Sequence, residues 1–198
     1  MGFSPTDTPS HGVSVYDNPM ITAAEGGGRS PGRCHHRAVS TVTLRPMTEA
    51  EYAELRQTTA RAFADELVAT GGWSPEEALD RALQGSAELL PQGPGTPGML
   101  LLVGVLDDGT PIGRLWLGLT HPRGVPDCAF VYDIEVDEGH RGSGLGRALL
   151  AAGEDVVRSH GVPAVELNVF ADNVRAVGLY SSAGYRVVTQ QMRKDLGG

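Results

Sequence analysis

Two cysteines, Cys34 and Cys128, are all that 198 residues contain. They stand far apart and follow no metal-ligand spacing. That leaves no disulfide framework and no cysteine-based metal site, and free thiols in a reducing cytoplasm are the simplest reading. The chain also has no apolar run of transmembrane length. Its N-terminus lacks the basic-then-apolar layout of a signal peptide. Positive charge is scarce: 16 Lys and Arg face 24 Asp and Glu, for a net charge of −8. Nucleic-acid binding over a broad surface needs a basic face, so no nucleic-acid partner and no membrane is expected. A small basic groove for a phosphorylated ligand remains compatible. With 40% hydrophobic residues, the composition is ordinary for a soluble protein, and the chain is long enough for one domain plus a tail.

Residues 1–40 read as that tail. They are rich in Pro, Gly, Ser and Thr, carry Gly26-Gly27-Gly28, and show little periodicity, which predicts disorder. Cys34-His35-His36 does not make a metal site, because three adjacent side chains cannot easily face one ion and no second cluster completes it. An upstream start would account for such a tail. Met20 is then a later start, whereas starting at Met47 would remove the first strand.

The folded domain is expected over 41–198. Thr41 to Arg45 alternates as a strand, and Pro46 ends it. Thr48 with Glu51, and Ser74 with Glu77, are capping boxes that open two helices. The first runs through Tyr52, Leu55, Phe63 and Leu67 to a stop near Gly71-Gly72; the second has Pro75 at its first position and runs to about Leu90. Met99 to Leu106 and Ile112 to Thr120 form a hairpin about Asp108-Gly109. Cys128 to Val136 is a third meander strand. A helix then ends near Gly161, Val165 to Val169 is a strand, and a helix capped by Asp172 stops at Gly184. Tyr185–Val188 and Thr189–Lys194 read as two closing strands. The predicted class is α/β with a mixed central sheet flanked by helices, in the order β-α-α-β-β-β-α-β-α-β-β. The strand-helix-strand unit makes the central pair parallel.

The junction between the third meander strand and its helix is the informative stretch. Val131, Ile134 and Val136 belong to a β-favouring run. Gly139, Gly142, Gly144 and Gly146 free the backbone to turn and to approach a ligand closely. Leu145, Ala148, Leu149 and Ala152 then recur at helical spacing. Outward-facing N–H groups at the helix start, its dipole and Arg141 together make an anion cradle suited to phosphate. The dinucleotide fingerprint G-x-G-x-x-G does not fit, nor does a nucleotide P-loop, which needs Gly-Lys-Ser/Thr.

What stands here is Arg141-Gly142-Ser143-Gly144-Leu145-Gly146, an R-x-x-G-x-G that resembles the acyl-CoA pyrophosphate loop of the GNAT superfamily of N-acetyltransferases. About thirty residues on, Asn173-Val174-Arg175-Ala176-Val177-Gly178-Leu179-Tyr180-Ser181-Ser182-Ala183-Gly184-Tyr185 resembles that family's second signature, N-x-x-A-x-x-L-Y-x-x-x-G-[FY]. The two in this order, within these elements, are far more specific than either alone. The resemblance spans about Thr41 to Lys194. It implies acetyl-CoA as acyl-donor cosubstrate, no metal, a pyrophosphate held by residues 141–146 with Asn173 nearby, and a pantetheine arm on the backbone of Ile134 and Val136 where the central parallel strands splay. It also makes Tyr180 the acid that protonates the departing thiolate. A homodimer is a further family expectation.

The residues support this chemistry in their own terms. Asn173, Ala176 or Val177, and Tyr180 share one helix stripe, expected to face a groove while Val174 and Val177 pack inward. A phenol can donate a proton to a thiolate and recover it from water. The N–H of Val136 can polarise the thioester carbonyl. Asp133, Glu135 and Asp137 share a strand face that is costly to bury unless it opens on a cleft. Glu135 can take the amine proton directly or through water, or attract an ammonium group; alternatively these carboxylates are paired with arginines. Trp73, Trp116 and His121 are set aside, since strand aromatics are more often core. Two functions follow: acetyl transfer to a small-molecule or protein amine by direct attack, or a non-catalytic acyl-CoA-binding regulatory module.

Overall fold

The computed structural model describes residues 41–69, 74–192, 194 and 196. The tail, the expected stop at Gly71-Gly72 and Trp73 lie outside them. The order is β1 (Thr43–Pro46), α1 (Glu49–Ala69), α2 (Pro75–Leu89), β2 (Met99–Val105), β3 (Pro111–Gly118), β4 (Cys128–Val136), α3 (Leu145–Ser159), β5 (Ala164–Leu167) and α4 (Val174–Ser182). Single 3-10 turns stand at Gly93–Gly95 and Glu138–His140. The five strands lie in sequence order. The pairs from β1 to β4 are antiparallel and β4–β5 is parallel, so the sheet is mixed as expected.

Local signals set the helix starts. Thr48 N–H and Oγ1 donate to Glu51 Oε2 at 2.8 and 2.9 Å, and Glu51 N–H donates back to Thr48 Oγ1 at 3.3 Å. Arg45 grips the same carboxylate with two bonds of 2.8 and 2.7 Å, tying β1 to the first turn of α1. Ser74 Oγ accepts from Glu77 N–H at 3.3 Å and caps α2.

The sheet has a core on each face. Leu145, Leu149, Leu150 and Val157 of α3, with Ala176 and Tyr180 of α4, pack on Ile112, Leu115, Leu117, Val131 and Ile134. Helix α3 sits so close that a Cβ on Gly153 would lie 2.4 Å from Leu115 Cδ2. On the other face, Met47, Leu55 and Leu90 cover Leu101, Val103 and Trp116. Helices α1 and α2 meet through Ala60, Phe63, Ala64, Ala78 and Ala82. No helix among the described residues is long and apolar enough to cross a membrane.

Three expectations need correction. Neither closing strand forms among the described residues, so the sheet ends at β5. A strand needs a partner for its backbone groups, and Val187, Val188 and Met192 stand 81, 60 and 85% exposed instead. The cap of α4 is Asn173, not Asp172: Asn173 Oδ1 accepts from Ala176 N–H at 3.1 Å. The stripe on α4 is also reversed. Ala176 and Tyr180 are buried, while Val174 is 77% exposed.

The Arg45–Glu51 clamp makes a pH-dependent contribution to stability. The hydrogen bonds from Arg45, aided by Thr48, hold the Glu51 carboxyl down to about 2 from 4.5. The folded value lies below the unfolded one, so the stabilisation is complete above pH 4.5 and is lost as pH falls through about 2. Glu51→Gln is expected to cost about 1 kcal/mol at pH 7 and to flatten the acid limb of urea-denaturation stability plotted against pH.

Candidate active site

Strand β4 carries one residue more than its partner. Leu117 opposes Val131, but Trp116 opposes Asp133, which leaves Tyr132 as a bulge. The extra residue shifts the side-chain alternation. Val131 and Ile134, three apart, both enter the α3-side core, while Tyr132 joins Trp116 on the opposite side. Asp133 and Glu135 then face away from the α3 core, alongside Arg114 of β3. Pairing with β5 stops at Val131–Leu167, so among the described strands the far half of β4 pairs with β3 alone. Asp137 N–H donates to Ile112 O on β3 at 3.0 Å. Successive residues of a strand turn to opposite edges. The backbone groups of Ile134 and Val136 therefore lie on the edge that β5 has left.

The glycine loop sits at the end of that edge. Gly142 and Gly144 have φ of 76° and 89°, a region that side-chain-bearing residues avoid, and Gly144 is the N-cap of α3. The helix's own bonding begins with Arg147 and Ala148 N–H on Gly144 O. The earlier N–H groups at Leu145 and Gly146 thus remain available at the positive end of the dipole. Leu145 is buried and anchors this first turn, and a Cβ on Gly146 would meet only Leu179 and Val136 at 3.6 and 3.7 Å. Ser143 Oγ donates to His140 O at 2.5 Å and closes the loop. Arg147 bonds Ser182 O at 3.0 Å and also the Ser182 hydroxyl, joining the first turn of α3 to the last of α4.

Two arginines hold the carboxylates. Arg114 donates from Nε to Asp133 Oδ2 at 2.7 Å and pairs through Nη2 with Glu135 Oε2 at 2.5 Å. Arg141 donates from Nε to Val136 O at 2.8 Å and from Nη2 to Glu135 Oε1 at 2.9 Å. A guanidinium has five N–H groups, so Arg141 keeps three for an anion while it ties the loop to β4. Asp133 is 4% exposed. Burial pushes its carboxyl above the usual carboxylate range, against the pull of Arg114, and the neighbouring Glu135 adds to the rise.

Tyr180 projects from α4 into the same region. It is 4% exposed, and its ring lies 5.7 Å from that of Tyr185. Burial and then the charge of Asp133 raise its phenol well above the ordinary value. The shift favours the protonated hydroxyl.

The structure brings Ile134, Val136, Arg141, the 142–146 loop, Glu135 and Tyr180 to one end of β4. Asn173 lies at the start of the helix that carries Tyr180. Arg114 was missed by sequence reasoning; its signal is a lone cation inside the apolar strand Ile112–Leu117. Trp116 stacks on Tyr132 at 4.9 Å, and His121 is buried against Phe130 and Glu166. Among the described residues no group of three His, Cys, Asp or Glu is placed to hold a metal ion. The donor set fits an anionic, amide-bearing ligand: positive-φ glycines and available N–H groups for phosphate, and an open strand edge for amides.

The buried pair gives a test of this electrostatic arrangement. Arg114→Ala leaves Asp133 without its cation, so it is expected to cost about 3 kcal/mol at pH 7 in chemical denaturation. The loss should shrink as pH falls and Asp133 becomes neutral.

Residues 53–185 match the Acetyltransferase (GNAT) family. The chain is 34% identical over 156 residues to the uncharacterised N-acetyltransferase YycN of Bacillus subtilis (strain 168), covering 79% of this chain and 99% of that one. It is 32% identical over 154 residues to YdgE, an uncharacterised N-acetyltransferase of the same strain, covering 78% and 98%. The crystal structure of the YycN acetyltransferase matches with a TM-score of 0.71 at 33% identity, over 80% of this chain and all 100% of that one. A spermidine N-acetyltransferase from Vibrio cholerae, solved with CoA and spermine, shares the fold at a TM-score of 0.52 and 17% identity, over 73% and 80% of the two chains. With the glycine loop, the open half of β4 and the buried tyrosine in place, the chain belongs to the GNAT family and is an acetyltransferase.

Proposed function

We propose that the domain over 41–198, preceded by the separate segment 1–40, transfers an acetyl group from acetyl-CoA to a primary amine of a small molecule or protein. The observation that carries this reading is the open edge of β4 beyond Val131, with the glycine loop and the α3 start at its end and Tyr180 packed in the same core as Ile134. Acetyl-CoA, when bound, supplies the acyl group as an activated thioester. The N–H groups from Gly142 to Gly146, with Arg141, hold its pyrophosphate. Ile134 and Val136 bond the amides of its arm as a neighbouring strand would. Val136 N–H is the donor for the thioester oxygen as charge grows there. Tyr180 gives a proton to the departing sulfur. Support for the ligand class comes also from the fold neighbour that was solved with CoA and spermine.

Direct attack by the amine is favoured over a covalent enzyme intermediate. Cys128 lies at the start of β4, distant in sequence from the loop, and burial raises its thiol above the ordinary range. A nucleophilic cysteine needs the opposite shift.

Calorimetry with acetyl-CoA, followed by thiol-release assays on an amine panel, tests the proposal. Wild type is expected to bind in the micromolar range. Gly144→Glu, which places a carboxylate in the cradle at a positive φ, should abolish binding. Tyr180→Phe should keep binding and a near-wild-type melting temperature but lose about 10²-fold in kcat. Well-folded wild type that binds neither acetyl-CoA nor longer acyl-CoAs would overturn the reading.

A further inference from the structure

The sequence offers three carboxylates near the reaction centre and singles out Glu135 as the one to meet the amine. The side-chain geometry distinguishes them differently. Both oxygens of Glu135 are engaged, Oε2 by Arg114 at 2.5 Å and Oε1 by Arg141 at 2.9 Å. Even if phosphate drew Arg141 away, Arg114 would still hold the other oxygen. Asp133 has one oxygen, Oδ2, on Arg114 Nε at 2.7 Å, and Oδ1 takes no hydrogen bond among the described residues. Asp133 lies just past the bulge and past the last β4–β5 pair, beside the open edge.

We propose that Asp133, rather than Glu135, is the carboxylate that receives the acceptor's ammonium group and takes its proton. This rests on the acetyl-transfer reading above and deepens it. The charged and titratable groups around Asp133 are Arg114 from β3, Glu135 on its own strand and Tyr180 from α4. Arg114 fixes one oxygen and leaves the other to point its lone pairs at a cation. At 4% exposure the carboxylate sits where little water competes, so attraction to an ammonium is strong. The same burial raises its proton affinity toward that of an effective base. Its charge also disfavours loss of the Tyr180 proton, so one group accepts a proton while the other keeps its own to give.

The step balances as follows. An ammonium N–H transfers its proton to Asp133 Oδ1. The freed nitrogen lone pair forms a bond to the thioester carbonyl carbon. The carbon–sulfur bond breaks with its electron pair on sulfur, and sulfur takes the Tyr180 proton. A second N–H proton leaves to water, which also restores Tyr180 and accepts the proton held by Asp133. With Oδ2 held by Arg114 Nε, Oδ1 is the atom left to meet the acceptor, and the acceptor class is a primary alkylammonium.

The test uses n-butylamine as probe with the full chain. Its binding to the CoA-saturated protein is measured by calorimetry, and its kcat/KM with acetyl-CoA is followed across pH 4 to 10. Asp133→Asn is expected to lose at least 100-fold in kcat/KM, to lose the acid limb of the profile and to lose butylammonium binding, while acetyl-CoA affinity stays within 3-fold. Glu135→Gln, which loosens Arg114 and Arg141, is expected to lower kcat/KM while the acid limb remains. A limb that disappears in Glu135→Gln but persists in Asp133→Asn overturns the assignment, and so does butylammonium binding unchanged in Asp133→Asn or absent from wild type. Should Asp133→Asn not fold, carbon-13 carboxyl titration of aspartate-labelled wild type replaces it. The expected result is one aspartate titrating above the usual range and moving downward with butylammonium; no such response overturns the proposal. Failure of wild type to bind acetyl-CoA would instead strike the acetyl-transfer reading itself.

Discussion

The site depends on where β4 stops pairing with β5. A strand edge inside a sheet is satisfied and inert, while an edge left open must find a partner or face water. Here pairing ends at Val131–Leu167 while β4 runs on to Val136. Tyr132 bulges at the same point, which bends and twists the strand. One local irregularity thus does two things. It leaves backbone donors and acceptors beside a helix N-terminus, and it sets Ile134 into the core while turning Asp133 and Glu135 the other way.

The surroundings keep that opening in shape. Helix α3 is pressed against Leu115 at Gly153, so the first turn of α3 cannot drift from the sheet without disturbing close packing. Arg147 joins this turn to the end of α4, the helix that carries Tyr180. Arg141 closes the other side by bonding Val136 O and Glu135. These bonds tie the glycine loop, the open edge of β4 and the helix that carries Tyr180 to one another. The acidic strand face is tolerable for a similar reason: Arg114 compensates two carboxylates at once, which offsets much of the cost of burying Asp133.

Much of this was legible because local rules govern it. Gly142 and Gly144 are required by positive φ, Thr48 with Glu51 is a capping box that formed, and Cys128–Val136 has the bounds its composition suggests. What was missed is non-local. The bulge at Tyr132 has no signature beyond the odd spacing of Val131 and Ile134. Arg114 meets Asp133 and Glu135 only once β3 and β4 are in register. Tyr185–Val188 and Thr189–Lys194 read as two closing strands, but β-favouring residues do not name a partner. On α4, the motif's shared stripe reads as a groove face, yet Tyr180 and Ala176 are buried and Val174 faces out.

Amide hydrogen exchange by NMR, with and without acetyl-CoA, tests the central claim most directly. The N–H groups of Ile134 and Val136 lie on the open edge, whereas Asp137 N–H is already bonded to β3. Acetyl-CoA is predicted to slow exchange at Ile134, Val136 and the 142–146 loop and to leave Asp137 unchanged. Binding that protects other segments while Ile134 and Val136 exchange as before would contradict the account.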